Sequence, residues 1–393
     1  MPPRRRGGAG ARGVSDDEGE GPGSGDGEGD DGGGGGAVRR FFLRRIRSGE
    51  RTVVAIQRHR AGLWDAVFSC TAICVNEDFY LLVLPSWIWL GGADPRLGYF
   101  VTWVVCYGQL LGNMSKDLFS LPRPRAPPVW RSSAAASLDT TACEDFGFPS
   151  THAMNALSNS AVALGSAVAA GSDWFVPGAA AACAYTASIS FGRLYQGFHT
   201  PIDLAGGVAL GALLVLGFFV CGERYYAWAQ ADPLGCAKLA CLLAIALALW
   251  PQPLRPTPSF NQTTGMVGLI IGQAAGMHWS AARGNICAPA QLPSAGGGGG
   301  SVETGTWECV GLRLLVGFVV VGLTRLLVKA CAKFLFGLAL GTEVAAAKED
   351  RVLRDVLVKV TTYSAIGFSV CGASLDAFAA LGILNAEGCG FVN

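Results

Sequence analysis

The amino-acid sequence predicts an all-α protein, a polytopic bundle of about 8–10 transmembrane helices. Of its 393 residues, 51% are hydrophobic and only 15% are charged, whereas soluble domains carry about 25% charged residues. Beyond residue 60, long apolar runs alternate with short polar breaks. Each run approaches the ~20 residues that a helix needs to cross the hydrocarbon layer. No segment alternates with period two over ten residues, so no barrel strands are predicted.

Nine apolar runs are predicted to be membrane spans. They are, approximately, residues 78–92, 97–115, 152–171, 174–191, 201–221, 234–250, 264–280, 307–330 and 357–385. The shorter run 62–76 carries Asp65 near one end, and could be either a tilted span or an interfacial helix. The formal net charge is +1 and no basic stripe is evident, so no nucleic-acid partner is predicted.

The N-terminal region differs from the rest of the chain. Residues 1–38 are glycine-rich and acidic, and such a segment buries too little apolar surface to offset its chain entropy, which predicts a disordered tail. In the basic segment 39–61, arginines alternate with apolar residues such as Phe41 and Ile46. This segment is either a solvated linker or a helix lying on anionic lipid.

Three polar stretches lie at the ends of predicted spans. Lys116–Pro124 ends span 97–115, Pro149–His152 opens span 152–171, and Arg193–Asp203 joins two later spans. A single loop joins the first stretch to the second, so both lie on one membrane face. Two crossings separate the second stretch from the third, which returns the chain to that same face. A shared site requires this arrangement.

The residue types in these stretches are typical of a site that processes a phosphoryl group. Lys116, Arg123 and Arg193 supply three cations that can neutralise phosphate oxygens. Of the two histidines, His152 and His199, one can attack phosphorus while the other protonates the departing alkoxide.

Two further residues support this interpretation. Asp203 follows His199 by four residues, so its carboxylate can reach the imidazole and fix its tautomer. Ser150 opens a helix, where free N–H groups and a hydroxyl suit an anion. Each residue alone has a structural explanation, such as snorkelling for Lys116. Their conjunction on one face predicts a site. Histidines are few and scattered, so neither a metal nor another cofactor is predicted.

The spacings Lys-x6-Arg-Pro, Pro-Ser-x-His and Arg-x5-His-x3-Asp resemble the three-part signature of the type 2 phosphatidic acid phosphatase superfamily. The stretches KDLFSLPRPRAPPV, EDFGFPSTHAMNA and GRLYQGFHTPIDLAGG are similar to those of sphingosine-1-phosphate phosphatases, also called long-chain-base phosphate phosphatases. The resemblance covers most of residues 75–385. It implies a six-helix phosphatase core within 62–221 and additional transmembrane helices over 222–393.

The resemblance also implies roles for the site residues. His199 would be the nucleophile that forms phosphohistidine, and Asp203 would orient it. His152 would protonate the leaving alcohol and then activate water. The phosphate would be held by four residues, namely Lys116, Arg123, Ser150 and Arg193. Gly192 departs from the pattern, because the family usually has serine there, whose hydroxyl would add a hydrogen bond to the phosphate.

The expected function is removal of phosphate from sphingoid-base 1-phosphates in the membrane. The alternatives are the same chemistry on phosphatidate, lysophosphatidate or an isoprenoid diphosphate, and a catalytically silent scaffold or transporter. The expected partners are a phosphorylated lipid substrate and membrane lipids.

The location that the resemblance implies is the endoplasmic reticulum, with a lumenal site. The positive-inside rule places Arg39–Arg60 in the cytosol. Three crossings then separate this segment from the site if 62–76 spans. If it does not span, only two crossings intervene and the two lie on the same face.

Overall fold

The structure is a computed structural model that describes most of the chain. The described residues are 34–73, 77–90, 96–133, 136, 144–169, 175–286, 307–340 and 348–384. Within these ranges all regular structure is helical and no strand occurs. This confirms the predicted all-α membrane fold.

The described helices range in length from seven to 34 residues. In chain order they are α1 (Gly34–Gln57), α2 (Gly62–Ile73), α3 (Glu77–Leu90), α4 (Arg96–Phe119), α5 (Thr151–Ala169), α6 (Phe175–Tyr195), α7 (Pro201–Ala231), α8 (Gly235–Ala248), α9 (Ser259–Ala282), α10 (Trp307–Leu340), α11 (Lys348–Phe368) and α12 (Ser374–Ala380). A five-residue π-helical segment, Ser369–Ala373, joins α11 to α12.

Each of the nine predicted spans coincides with a helix from α3 onward, and the last coincides with α11 and α12 together. By length and composition alone, four described stretches are apolar enough to cross a membrane. These are Phe175–Tyr195, Pro201–Ala231, Glu308–Leu340 and Asp350–Ala380. Helices such as α4 and α9 bury polar side chains between their neighbours instead.

The three polar stretches meet at one end of the bundle, which we call the motif face. Helix α4 ends there and α5 begins there. The loop between α8 and α9 returns to the same face, since Trp250 Nε1 donates to Asp117 Oδ2 at 2.8 Å. Helix α9 starts beside it, where Ser259 Oγ donates to Asp145 Oδ1 at 2.9 Å. Helices outside the motif-bearing segment therefore help to shape this face.

Helices α2 and α3 together make one crossing. They have 12 and 14 residues, or about 18 and 21 Å, each too short for a hydrocarbon layer of about 30 Å. The chain enters α2 at the motif face, where Ala61 N donates to Tyr195 Oη at 3.2 Å. It leaves α3 at the far end, where Ile88 contacts Gly98 near the start of α4. The described part of the run 62–76, helix α2, is thus neither a whole span nor a separate interfacial helix.

Helix α1 lies on the motif face. The Glu50 carboxylate accepts from Arg125 Nη2 at 3.0 Å, and Gly49 packs against Thr200 and Pro201. Only α2–α3 and α4 cross between α1 and Lys116. The basic segment and the site then share a face, which is the two-crossing alternative; on which side of the membrane they lie stays a prediction.

The structure also decides the form of the basic segment. Helix α1 begins inside the predicted tail, and residues 1–33 of that tail lie outside the described residues. Ile46 packs with Leu121 and Phe148, while Arg44 and Arg47 remain exposed. A solvated linker is excluded, and contact of the exposed arginines with lipid stays a prediction.

The C-terminal helices pack closely through small residues. A Cβ on Gly272 of α9 would lie 2.0 Å from the Ser364 carbonyl oxygen of α11, and one on Gly268 would lie 2.6 Å from that of Val360. Only glycine permits this approach, which is typical of helix pairs in membranes. The tight α9–α11 pair supports α9 against α4 and thereby fixes one wall of the motif face.

Candidate active site

The first polar stretch turns sharply after α4. Ser120 adopts a left-handed backbone conformation with φ 47°, and its hydroxyl donates to the Asp117 carbonyl oxygen at 2.8 Å. This turn directs Arg123 back under the helix end. Lys116 and Arg123 are 4% and 8% exposed, respectively, so both cations are withdrawn from water.

Asp145 is the counter-charge for these cations. Its carboxylate pairs with the Lys116 ammonium and lies 4.0 Å from Arg123 Nη2, while its backbone oxygen accepts from Arg123 Nε at 3.2 Å. Burial alone would raise the pKa of Asp145, but the charges of Lys116 and Arg123 outweigh it and hold that pKa below its usual value. The carboxylate is therefore ionised at neutral pH.

The second stretch is fixed to the third at the start of α5. Ser150 N donates to the Asp203 carbonyl oxygen at 3.0 Å, and Ser150 Oγ accepts from Ala153 N at 3.4 Å, which caps the helix. A Cβ on Gly207 would lie 2.3 Å from the Ser150 carbonyl oxygen. Glycine at 207 thus lets α7 approach the loop that holds Ser150 and His152.

The third stretch folds back on itself. Gly197 has φ 79°, and a Cβ there would lie 2.0 Å from the Trp130 carbonyl oxygen. This turn buries Phe198 completely, and the Arg193 guanidinium lies 4.5 Å above its ring. The Phe198 carbonyl oxygen accepts from Arg123 Nη1 at 3.1 Å. The first and third stretches are thereby joined.

His199 is buried with its ring nitrogens in different surroundings. Its Nε2 lies 3.3 Å from Arg123 Nη1. Because a guanidinium only donates, Nε2 must accept, which assigns the proton of the neutral ring to Nδ1. Burial, followed by the positive charges of Arg123 and Arg193, holds the pKa of His199 well below its usual value, and His152 and Lys116 act in the same direction. His199 is therefore neutral with a lone pair on Nε2.

Asp203 lies near His199 without bonding to it. The Oδ2–Nδ1 distance is 3.9 Å, beyond hydrogen-bond range. Instead, Oδ2 accepts from Thr200 N at 2.6 Å and Thr200 Oγ1 at 2.9 Å, which caps α7. Asp203 Oδ1 and His199 Nδ1 are both buried without a hydrogen-bond partner in the described part of the chain.

His152 is the least enclosed of the predicted residues. It is the second residue of α5 and remains partly exposed, whereas His199 is 1% exposed. Its charge contributes to the lowered pKa of His199, which is consistent with two neighbouring imidazoles. The structure therefore brings together all seven residues predicted from the sequence, namely Lys116, Arg123, Ser150, His152, Arg193, His199 and Asp203.

Sequence reasoning missed several residues of this site. Asp145 is the most important, and the need of buried cations for a counter-charge could have identified it in the run Glu144–Ser150. The loop after α8 was also missed, where Thr257 Oγ1 donates to Asp117 Oδ1 at 2.8 Å and Arg255 Nη2 donates to the Asp145 carbonyl oxygen at 3.3 Å.

A third omission lies in α1. Gln57 Nε2 donates to the carbonyl oxygens of Trp130 and Tyr195 at 2.8 and 3.0 Å, and its Oε1 accepts from Trp130 N at 2.9 Å. One side chain of α1 therefore holds the loops of the first and third stretches together. No local sequence pattern indicates such long-range contacts.

Gly192 has a different environment from the one expected. The nearest atoms to a Cβ at this position all belong to Phe68 of α2, the closest at 3.0 Å. A serine side chain would thus start against an aromatic ring. Glycine here is explained by the packing of α2 on α6.

Comparison with known proteins adds independent information. Residues 97–227 match the model of the PAP2 superfamily. The chain is 31% identical over 238 residues to lipid phosphate phosphatase delta of Arabidopsis thaliana, which covers 60% of this chain and 56% of that protein. It is 28% identical over 248 residues to a dihydrosphingosine 1-phosphate phosphatase of Schizosaccharomyces pombe, covering 60% and 57%.

Human sphingosine-1-phosphate phosphatase 2 is 32% identical over 218 residues, covering 53% of this chain and 51% of that protein. The chain thus spans about half the length of these curated relatives. No solved structure matches the chain. All three polar stretches fall inside residues 97–227, the part of the chain that matches the PAP2 superfamily model.

Proposed function

We propose that this chain is a membrane phosphatase that removes phosphate from sphingoid-base 1-phosphates through a phosphohistidine intermediate. The observation that carries the proposal is the placement of a neutral His199, with Nε2 3.3 Å from Arg123 Nη1, beside the buried cations of the motif face. Relatives named as sphingosine-1-phosphate and dihydrosphingosine 1-phosphate phosphatases support this substrate class.

The electrostatics favour a dianionic phosphoryl group. Lys116, Arg123 and Arg193 are all at most 8% exposed, and Asp145 offsets only part of their charge. A phosphate group would restore charge balance in surroundings where water screens little. Arg123 and Arg193 can each contact two oxygens at once, which lysine cannot.

The chemical step uses the two histidines in sequence. The lone pair of His199 Nε2 attacks phosphorus, and the bond between phosphorus and the lipid oxygen breaks. His152 donates its proton to that oxygen, so the free alcohol leaves. His152 then takes a proton from water, whose oxygen attacks the phosphohistidine. The phosphorus–nitrogen bond breaks and inorganic phosphate is released.

Asp203 supports this step from the other side of the ring. As Nε2 bonds to phosphorus, positive charge develops on the imidazole, and its Nδ1–H becomes a stronger donor. Asp203 Oδ2 is 3.9 Å away, so a displacement of about 1 Å completes a charge-assisted hydrogen bond. The orphaned state of both groups is consistent with a contact that forms only during the reaction.

The test is phosphate release by membranes that contain the full chain, in excess chelator, from dihydrosphingosine 1-phosphate and from lysophosphatidate. His199→Gln should lower the rate by at least about 1,000-fold. His59→Gln changes an exposed histidine at the end of α1 and should leave the rate unchanged. Release that depends on His199, survives chelation and favours the sphingoid substrate supports the proposal.

The opposite results separate the alternatives. The same assay can include phosphatidate and an isoprenoid diphosphate. A preference for one of these, or for lysophosphatidate, would be consistent with the proposed mechanism but would contradict the proposed sphingoid substrate. Release from none of these lipids by folded protein would favour the silent scaffold or transporter. The Gly192 departure no longer supports that alternative, because its Cβ position faces Phe68.

We infer that the membrane is that of the endoplasmic reticulum and that the site is lumenal, as the resemblance implies. Because α1 packs on the motif face, this places α1 in the lumen as well. The eight arginines of residues 39–60 favour the alternative in which both are cytosolic. Glycan acceptor tags placed before residue 34 and in the loop near residue 128 distinguish the two. Glycosylation of only one tag would contradict the shared face.

A further inference from the structure

A second cavity lies away from the motif face. It has a volume of about 270 Å³ and lies between α3, α4, α9, α10 and α11. Its walls are mainly apolar and include Leu84, Ile88, Val105, Met266, Phe318 and Ile366. Most of these helices lie outside the matched PAP2 residues 97–227.

The cavity is separate from the phosphate site. On α4 its lining includes Cys106, ten residues before Lys116, which corresponds to about 15 Å along the helix. Between Cys106 and Lys116 on α4, Asn113 Nδ2 donates to Thr263 Oγ1 at 3.2 Å, so α4 and α9 are in direct contact there. A molecule in the cavity would therefore not contact the motif residues.

Two polar groups in this apolar lining, the Arg325 guanidinium and Gln273 Oε1, have no hydrogen-bond partner among the residues that the structure describes. Arg325 of α10 is exposed and is the one charged side chain among the described lining residues. No hydrogen bond or ion pair joins it to any other residue that the structure describes. Gln273 is 3% exposed, and its Oε1 accepts no hydrogen bond within the described ranges. A cation within a membrane span is costly unless it serves a ligand or reaches the interface.

The position of Arg325 suits a lipid head group. Helix α10 runs from the far end of the bundle towards the motif face, and Lys329 and Lys333 lie one and two turns further along it. A side chain at 325 can thus extend towards the interface next to the cavity mouth. The positive charge of Arg325 attracts an anionic head group, and the apolar walls of the cavity favour a hydrocarbon chain.

We propose that this cavity binds the hydrocarbon chain of a single-chain anionic lipid whose head group pairs with Arg325. The volume of about 270 Å³ is close to the lower limit of small-molecule sites, about 300 Å³, so it accommodates one chain and not two. Bound lipid would contact α4 and α9, the two helices that carry Lys116 and Ser259 to the motif face. The proposal does not rest on the proposed function.

The chain offers matched variants for a test. Gly322 lines the cavity, and a Cβ there meets nothing within 4 Å, so Gly322→Leu fills the space. Gly337→Leu is the control, because Gly337 is on the same helix, also meets nothing within 4 Å and is not among the lining residues. Arg325→Gln removes the charge, and Lys329→Gln is its control.

The measurement is photolabelling of the purified full chain in nanodiscs with a diazirine-bearing palmitate and with the corresponding neutral alcohol. Palmitate should label peptides of α10 and α11, roughly tenfold less in Gly322→Leu and Arg325→Gln than in the wild type and both controls. In the wild type, unlabelled palmitate should reduce labelling by the diazirine-bearing palmitate, and cetyl alcohol should not. This comparison does not depend on the folding of any variant. Equal labelling of all variants, or equal labelling by the alcohol, would overturn the proposal.

Discussion

The motif face and the apolar cavity hold their cations in opposite ways. At the motif face, Lys116 and Arg123 are buried and share the carboxylate of Asp145. At the cavity, Arg325 is exposed and forms no ion pair with the described residues. The first arrangement is preorganised for an anion before it arrives, whereas the second is open to the lipid phase.

The difference shows what burial demands of a charge. A buried cation without a counter-charge is strongly destabilising, so the motif face needs Asp145 even when empty. An exposed cation near the interface needs no such partner, because it can reach head groups. The following predictions test how far the motif face is preorganised.

The largest expected effect comes from Asp145→Asn. Loss of this carboxylate leaves Lys116 and Arg123 buried without their shared partner, and we expect the free energy of unfolding to fall by about 3 kcal/mol. Inorganic phosphate should then raise the thermal unfolding temperature more in the variant than in the wild type, since it replaces the lost charge. Glu144→Gln changes the exposed neighbour and is the control. Wild-type stability in Asp145→Asn would contradict this account.

The second effect is a dependence of stability on pH. The folded-state pKa of His199 is lowered mainly by burial and then by Arg123 and Arg193, so the unfolded chain binds a proton that the folded chain excludes. The contribution of neutral His199 is complete above its unfolded pKa and is lost as pH falls below it. Thermal unfolding between pH 7 and 5 should show a slope smaller by up to about 1.4 kcal/mol per pH unit in His199→Gln. Identical slopes would mean that His199 is not held neutral.

The same lowered pKa affects catalysis under the proposed mechanism. A nucleophilic imidazole must be neutral, and His199 stays neutral at pH values where an exposed histidine is protonated. The acid limb of kcat/KM that reports His199 should therefore lie below the ordinary histidine range. An acid limb at or above about pH 6.5 would contradict it.

A smaller effect is expected from Gln57→Ala. The change removes the contacts with Trp130 and Tyr195 that join α1 to two motif loops. We expect kcat to fall by about three- to tenfold, because loss of hydrogen bonds worth about 1 kcal/mol each loosens the loops rather than unfolding them. Arg58→Ala alters an exposed neighbour and should have no effect. Unchanged kcat in Gln57→Ala would show that the site is rigid without α1.

The smallest effect is expected from Gly192→Ser. Because the new Cβ faces Phe68 at 3.0 Å, the hydroxyl gains no phosphate contact. Phosphate release should change by less than about twofold, the scale of a shift below 0.5 kcal/mol. A tenfold increase would show that the serine hydroxyl reaches the substrate after all.

The sequence predicted most of the helices and most of the residues that meet at the candidate site. Apolar length located the spans because the membrane imposes it, and fixed spacings located the cations and histidines. The polar run Asn76-Glu77-Asp78 separated 62–76 from span 78–92 in the sequence, but the pairing of two short helices, α2 and α3, was not predicted because it depends on their contacts with distant segments. Asp145 and Gln57 act through partners distant in sequence, 29 residues for Lys116 and 138 for Tyr195. Such contacts follow from the packing of the whole bundle.

The contacts of α1 have a consequence for the biosynthesis of the protein. Gln57 is synthesised early, yet its partner Tyr195 follows 138 residues later. At about 5–20 residues per second, this delay is roughly 7 to 28 seconds. Until Tyr195 is made, the binding site of α1 on the protein is incomplete, and its apolar side and its arginines suit a temporary position among lipid head groups. Helix α1 is therefore made before the motif loops on which it packs, and it completes its contacts late.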